Sequence, residues 1–329
     1  MPTFCRHNHL IQNCPICSRE QHVELRPVVS SSAPRSTQAR SEASPKAPGR
    51  PASGTRATRP GVRVRRLVRG SDDGYRSPLV PGLKSSDEAQ RMGEDMALAA
   101  TRLEILAQDP PGLYAEIADA SGDLEERTWL AFLVAYIGPR EDEDPFANVA
   151  AVRTSWAGGE LPDPGAIEPG PRGAHDSSRG TRTLDAYRAW VARSGSQAAA
   201  IAGEPVWPAP RRFARAFERL ALPGFHRDAR FELLVTLGAL GVYELEAASL
   251  ALGGDNSVTV GAKRALGIGD PLLLDRRATA LASACGVPLA ALDLALHNWE
   301  RNERALEGLP VGTEPDPGVL DGVMQALGL

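Results

Sequence analysis

The sequence predicts a mostly α-helical body, preceded by a small cysteine- and histidine-rich module and a long polar linker. Three observations point there. From about residue 89 the apolar residues recur at helical spacing, as at positions 96, 99, 103 and 106 of SSDEAQRMGEDMALAATRLEILAQ. Alternating strand patterns are nearly absent from the same region. Three of the four cysteines fall in one short stretch, FCRHNHLIQNCPIC, at residues 4–17. The boundaries expected are 1–22 for the module, 23–88 for the linker, 89–309 for the helical domain and 310–329 for a C-terminal tail or helix.

With 329 residues, 42% of them hydrophobic and 24% charged, the chain is long enough for one or two domains with a substantial core. Its 32 glycines and 27 prolines favour long connections over two tightly packed domains. Charge is unevenly placed. Residues 1–70 carry 13 Lys and Arg against 3 Glu, so an arm of net +10 precedes a body of net −14 within an overall −4. Such an arm suits a nucleic-acid or anionic surface, and equally a solvated tether that stays extended. The start of the chain lacks the apolar core of a signal peptide. No stretch approaches the roughly 20 apolar residues of a membrane span. Clustered cysteines with no disulfide framework fit a reducing compartment. The expectation is therefore a cytoplasmic protein, with nucleoid association open and no membrane partner.

Taken in order, residues 23–88 are rich in Ser, Ala, Pro, Gly and Arg and bury too little apolar surface to offset chain entropy, which predicts disorder. GVRVRRLVRG at 61–70 could pair as a short strand or lie along a phosphate backbone, against the default of a disordered basic segment. PPGLYAEIADA starts a helix after its prolines. GDLEERTWLAFLVAYIG, apolar from Trp129 to Ile137, reads as the central buried helix. Residues 139–183 form a loop-rich excursion, a type that is often functional or mobile. Helices return with TLDAYRAWVARSG, PRRFARAFERLAL, DARFELLVTLGALGVYELEAASLAL, VTVGAKRALGI, DPLLLDRRATALASACG and VPLAALDLALHNWERNERALEGL.

Three segments carry residues suited to chemistry. Cys14 and Cys17 form a C-x2-C pair, the spacing with which two thiolates grip one tetrahedral zinc. Cys5 adds a third ligand and His7 a fourth, with His9 as the alternative to His7. Four protein ligands close the coordination sphere, so this zinc is structural and the module a docking element, open to a protein partner. The second segment is ERLALPGFHRDARFELLVTLGALG at 218–241. A turn at Gly224 between two helices can aim backbone N–H groups at a phosphate, with Arg227 and Arg230 adding charge; the plain alternative is a connection within a helical bundle. The third is AKRALGIGDPLLLDRRATALA at 262–282. Gly267 and Gly269 make a second tight turn, and Asp270-Pro271 starts a helix. Lys263, Arg264, Arg276 and Arg277 surround it, as a phosphate or pyrophosphate site requires. Here too the plain readings are a capping Asp270 and a solvated Arg276. Trp129, Trp190 and Trp299 are expected in the core, and His175 and His297 in structural or exposed positions. No P-loop, dinucleotide fingerprint, G-x-S-x-G or H-E-x-x-H motif occurs.

EERTWLAFLVAYIGP, TLDAYRAWVARSGSQ, RRFARAFERLALPGF, RFELLVTLGALGVYEL and AKRALGIGDPLLLDRRATALA together resemble the alpha-glutamyl/putrescinyl thymine pyrophosphorylase family in its bacterial branch. The resemblance spans roughly residues 89–300 and rests on the set of segments, since no single motif is diagnostic. It implies an all-α fold of the helix-hairpin-helix DNA-glycosylase type. It further implies an enzyme that displaces pyrophosphate from a modified thymine in DNA with an amine. DNA or a nucleotide is then the substrate. Lys263 would face the leaving pyrophosphate with Arg264 and Arg277, while Asp270 or Asp275 would accept the amine proton or hold Mg²⁺ on the pyrophosphate. The chain departs from the glycosylase pattern in one respect. Counting on from Asp228, at the hairpin's basic position, reaches Glu246 where an aspartate is expected. A glycosylase that excises a modified base is one alternative; a non-catalytic nucleic-acid-binding or adaptor protein, working through the zinc knuckle, is another.

Overall fold

The computed structural model of the chain describes residues 71–329, which are helical with no strands among them. The proposed zinc ligands Cys5, His7, His9, Cys14 and Cys17 lie outside the described residues, as does most of the linker. The helical body starts before the expected residue 89. Residues 71–85 run along it with Val80 and Leu83 fully buried, and α1 begins at Ser86.

Helix α1 (Ser86–Gln108) carries Asp87 and Glu88 in its first turn, where the positive end of the helix dipole favours them. Short α2 (Leu113–Ala118) leads to α3 (Leu124–Ile137). Asp123 caps α3 by accepting from the backbone N–H groups of Glu125 and Glu126, both at 3.0 Å. Every residue of α3 from Thr128 to Ile137 is buried, as expected of a central helix. Phe132 stacks on Tyr187 at 3.7 Å between ring centroids and meets Trp129, Tyr136 and Phe225. Removing such a ring from a filled core costs about 3–5 kcal/mol.

Residues 138–181 contain only α4 (Ala147–Val152) and one turn of 3₁₀ helix. The excursion is nonetheless pinned to the end of α3. Ile137 O accepts from Gly170 N at 2.9 Å, and Tyr136 O accepts from Ala174 N and His175 N at 2.7 and 2.8 Å. A side chain at Gly173 would stand 2.1 Å from Ile137 O, so only glycine permits this approach. The close approach carries Arg172 into the interior, where it is 2% exposed.

Helices α5 (Arg182–Ser194), α6 (Gln197–Ala202) and α7 (Ala209–Arg219) follow, then α8 (Arg227–Ala239), which packs on α3, α1 and α7. The helical pattern read through residues 240–252 is not a helix. Leu240 caps α8, Gly241 turns the chain at φ +67°, and a side chain at Gly238 would meet Leu245 O at 2.5 Å. Helices α9 (Ser257–Leu266), α10 (Pro271–Ala284), α11 (Leu289–Arg301) and α12 (Pro317–Leu327) complete the body. α11 and α12 pack on α1, and α9 packs on α11. Trp299 ties α11 to α1 by donating from Nε1 to Glu88 O at 3.0 Å. Trp129, Trp190 and Trp299 are all buried. Among the described residues no single helix is long and apolar enough to cross a membrane.

Candidate functional site

The C-terminal end of α9 builds the first part of an open cleft. Gly267 adopts the left-handed conformation at φ +65° and donates to Lys263 O at 2.9 Å, ending the helix so that residues 267–269 fold back. The segment before α1 presses on this end. Gly82 N donates to Ala265 O at 2.9 Å, and a side chain at Gly82 would stand 1.9 Å from Arg264 O. The cleft left between these parts has a volume of about 810 Å³. Lys263, Arg264, Gly267 and Gly269 all line it, together with Lys84, Glu88 and Glu300.

The cations in the cleft differ in their commitments. Lys263 is half-buried and makes no ion pair or hydrogen bond among the described residues. Lys84 is exposed and donates to Pro81 O at 3.0 Å. Arg264 lies 4.0 Å over the ring of Trp299, is ion-paired to Glu88, and meets Glu300 Oε2 at 3.0 Å. Sequence reading missed Lys84, Glu88 and Glu300. Lys84 and Glu88 fell inside the assigned linker, and nothing in the local pattern links Glu300 to residues 36 positions earlier.

Of the other residues expected at this turn, none lines the cleft. Asp270 caps α10 by accepting from Leu273 N at 2.9 Å. Asp275 holds the 240–256 loop by accepting from Leu250 N at 3.0 Å. Arg276 and Arg277 are exposed on α10.

The hairpin at Gly224 is built differently. Gly224 has φ +83°, and a side chain there would stand 2.3 Å from Thr183 Oγ1. It lines a separate cavity of about 440 Å³ with His175, Asp176, Arg179 and His226. His226 caps α8 through Nδ1, 3.4 Å from Ala229 N, and its Nε2 faces Gly173 O at 3.1 Å. His175 bridges Tyr136 OH at 3.1 Å and Gly165 O at 3.2 Å. The two arginines assigned to phosphate turn away from this cavity. Arg230 donates to Phe217 O at 3.2 Å and lies 4.5 Å over the Phe217 ring. Arg227 is buried, paired with Asp293 and with Asp228 at 3.2 Å, and donates to Leu250 O. The cation that remains at the cavity, Arg179, is paired with Asp176 at 3.1 Å.

Arg227 belongs to a buried ionic network that the sequence did not announce. Arg102 bonds Glu232 at 2.5 Å, Arg172 bonds Glu232 at 3.2 Å and pairs with Asp293, and Asp293 also pairs with Arg227. Three guanidiniums thus face three carboxylates, Asp228, Glu232 and Asp293. Burial opposes ionisation of Asp228 and Glu232. For Asp228 the neighbouring His297 imidazole and the charges of Arg172 and Arg227 outweigh it and hold the carboxyl far below its usual range. For Glu232 the charges of Arg102 and Arg172 do the same. Glu307 sits beside this set at 1% exposure, with Oε1 unpartnered among the described residues. Burial, and then the negative charge of Glu232, push its carboxyl up to about 8, so it stays protonated at neutral pH.

His297 brings Ser257 and Asp228 together, at 2.9 Å and 3.8 Å. Both lie on Nδ1, whereas a Ser-His-Asp relay uses the two ring nitrogens for its two partners. Nε2 is buried without a partner among the described residues, and burial lowers the imidazole pKa. The set is structural in geometry. Glu246, the carboxylate noted in place of a glycosylase aspartate, is exposed on an apolar groove of about 490 Å³ lined by Leu103, Phe213, Val235 and Leu289. Among the described residues no group of three or more His, Cys, Asp or Glu is placed to hold a metal. No family model, no curated protein and no solved structure matches the chain.

Proposed function

We propose that the cleft at the α9–α10 turn binds the phosphate groups of a nucleotide in DNA, and that the protein acts on a modified thymine there. In the reaction, an amine nitrogen attacks the methylene carbon on the base, the carbon–oxygen bond breaks, and pyrophosphate leaves with the bonding electrons. The observation that carries this reading is the convergence of Lys263, Arg264, Gly267 and Gly269 on one open cleft with Lys84. Cations fixed beside a leaving group that gains charge lower the barrier for its departure. The family resemblance supplies the base and the amine. An all-helical body is compatible with the glycosylase-type fold it implies. The amine must lose a proton, and Asp270 and Asp275 lie outside the cleft, so that step has no assigned acceptor.

A second reading is favoured by one observation. Both carboxylates on the cleft are engaged by Arg264, which suits a non-catalytic phosphate-binding adaptor. The experiment that separates the readings uses duplex DNA carrying pyrophosphorylated hydroxymethyluracil, incubated with the full chain and a primary amine. Release of inorganic pyrophosphate with an intact, heavier nucleoside by mass spectrometry supports the first. Release of free base indicates a glycosylase. Binding with neither product indicates the adaptor.

A further inference from the structure

Arg264 stands in the cleft but is already held, and the way it is held is asymmetric. Gly261, on the face of α9 toward α11, comes so close that a side chain there would meet Leu296 O at 2.9 Å and Glu300 Cβ at 3.2 Å. That approach brings Arg264, one turn further along α9, within reach of Glu300. Glu88 grips the same guanidinium from α1, and the Trp299 ring lies 4.0 Å beneath it. One cation with two carboxylates is a triad of net negative charge, and its side chains are only 16%, 10% and 9% exposed.

The two carboxylates are not equally well placed. Glu88 is in the first turn of α1, where the helix dipole stabilises a negative charge. Glu300 is the penultimate residue of α11, at the end where the dipole disfavours one. Lys263, the neighbour of Arg264 in the chain, has no partner among the described residues to neutralise it. A multivalent anion entering the cleft therefore meets a free ammonium beside a guanidinium whose weaker partner is Glu300.

We infer that Glu300 is a latch: it engages Arg264 at the cleft wall, and an incoming phosphate must displace it to recruit Arg264. Glu88 and Trp299 stay in place and keep the freed guanidinium aimed at the cleft. The inference rests on the reading of the cleft as a phosphate site. It makes affinity depend on a competition within the protein, with a selectivity for anions of charge high enough to replace a carboxylate.

The test is calorimetric titration of inorganic pyrophosphate into the full chain and the variants E300Q, E88Q, K263A and R264A/E300Q. Removing one charge from a largely buried pair predicts binding about tenfold tighter in E300Q, a smaller gain in E88Q, and loss of the gain in R264A/E300Q. Weakened binding in K263A with no gain in E300Q overturns the latch and leaves the phosphate site standing. No binding by the wild type or E300Q at about 1 mM pyrophosphate overturns both. Should E300Q fail to fold, the wild-type protein labelled with ¹⁵N-arginine answers the question. The Arg264 side-chain resonance must move on saturation with pyrophosphate, and an unmoved resonance overturns the latch.

Discussion

The Gly224 and Gly267 turns look alike in sequence, each a glycine turn between helices with basic residues close by. The fold treats them oppositely. After the Gly224 turn, Arg227 and Arg230 point inward, one into the buried ionic network and the other against Phe217. Before the Gly267 turn, Lys263 lines an open cleft and its charge is unpaired among the described residues. A basic residue near a tight turn is thus a phosphate ligand only if its neighbours leave it free. At Gly224 the apolar surroundings and the carboxylates of α8 and α11 claim the cations first.

The largest expected effect comes from breaking the network that claims Arg227. Asp293→Ala leaves Arg172 and Arg227 buried without their shared carboxylate, and about 3–5 kcal/mol of stability is lost. Urea unfolding measures it, and a loss below that of an average core substitution would mean the arginines find other partners. The pH dependence of the same region sharpens the point. The Glu307 carboxyl rises from its ordinary 4.5 to about 8 on folding. The folded state therefore holds a proton that the unfolded state has released. Stability from this group is complete below 4.5 and is lost as pH rises toward and through about 8. Asp228 and Glu232 are lowered and act in the opposite sense, losing their contribution only in acid. Unfolding free energies from pH 5 to 9 should fall with pH in the wild type and fall less in Glu307→Gln, which keeps the neutral form.

Smaller effects are expected at the second turn. Gly82→Ala places a carbon 1.9 Å from Arg264 O, so the segment before α1 must shift, at a cost of about 1–3 kcal/mol. Pyrophosphate affinity should fall with it, since the cleft wall moves. Smallest is the stability effect of Lys263→Ala, expected within about 0.5 kcal/mol because the ammonium has no partner to lose among the described residues. A larger loss in thermal unfolding would show that Lys263 serves the fold.

The helices were legible where apolar period and cap agree. TWLAFLVAYI behind Asp123, and PLLLDRRATALA behind Asp270, both fold as the pattern predicts. The run after Ala239 misled because Tyr243 and Leu250 are apolar and buried in a loop, which satisfies composition without satisfying helical hydrogen bonds. The network was illegible for a different reason. Arg102, Arg172, Glu232 and Asp293 come from α1, the loop after α4, α8 and α11, and only tertiary packing joins them. Charged residues inside apolar stretches, as in FELLV and AALDLAL, were the local sign of it. For the cleft, sequence placed Lys263, Arg264 and both glycines together. It did not reveal that two glutamates would compete for Arg264.

The comparison of the two turns is tested most directly by pyrophosphate affinity in Lys263→Ala and Arg179→Ala, each measured against the wild type. Among the described residues, Arg179 is the cation lining the Gly224 cavity and Lys263 a cation without a partner at the Gly267 cleft. The account predicts that Lys263→Ala weakens binding about tenfold, as expected for a lost charge-assisted phosphate contact, while Arg179→Ala leaves it nearly unchanged. Weaker binding in Arg179→Ala with Lys263→Ala unaffected would place the phosphate at the first hairpin and contradict the account.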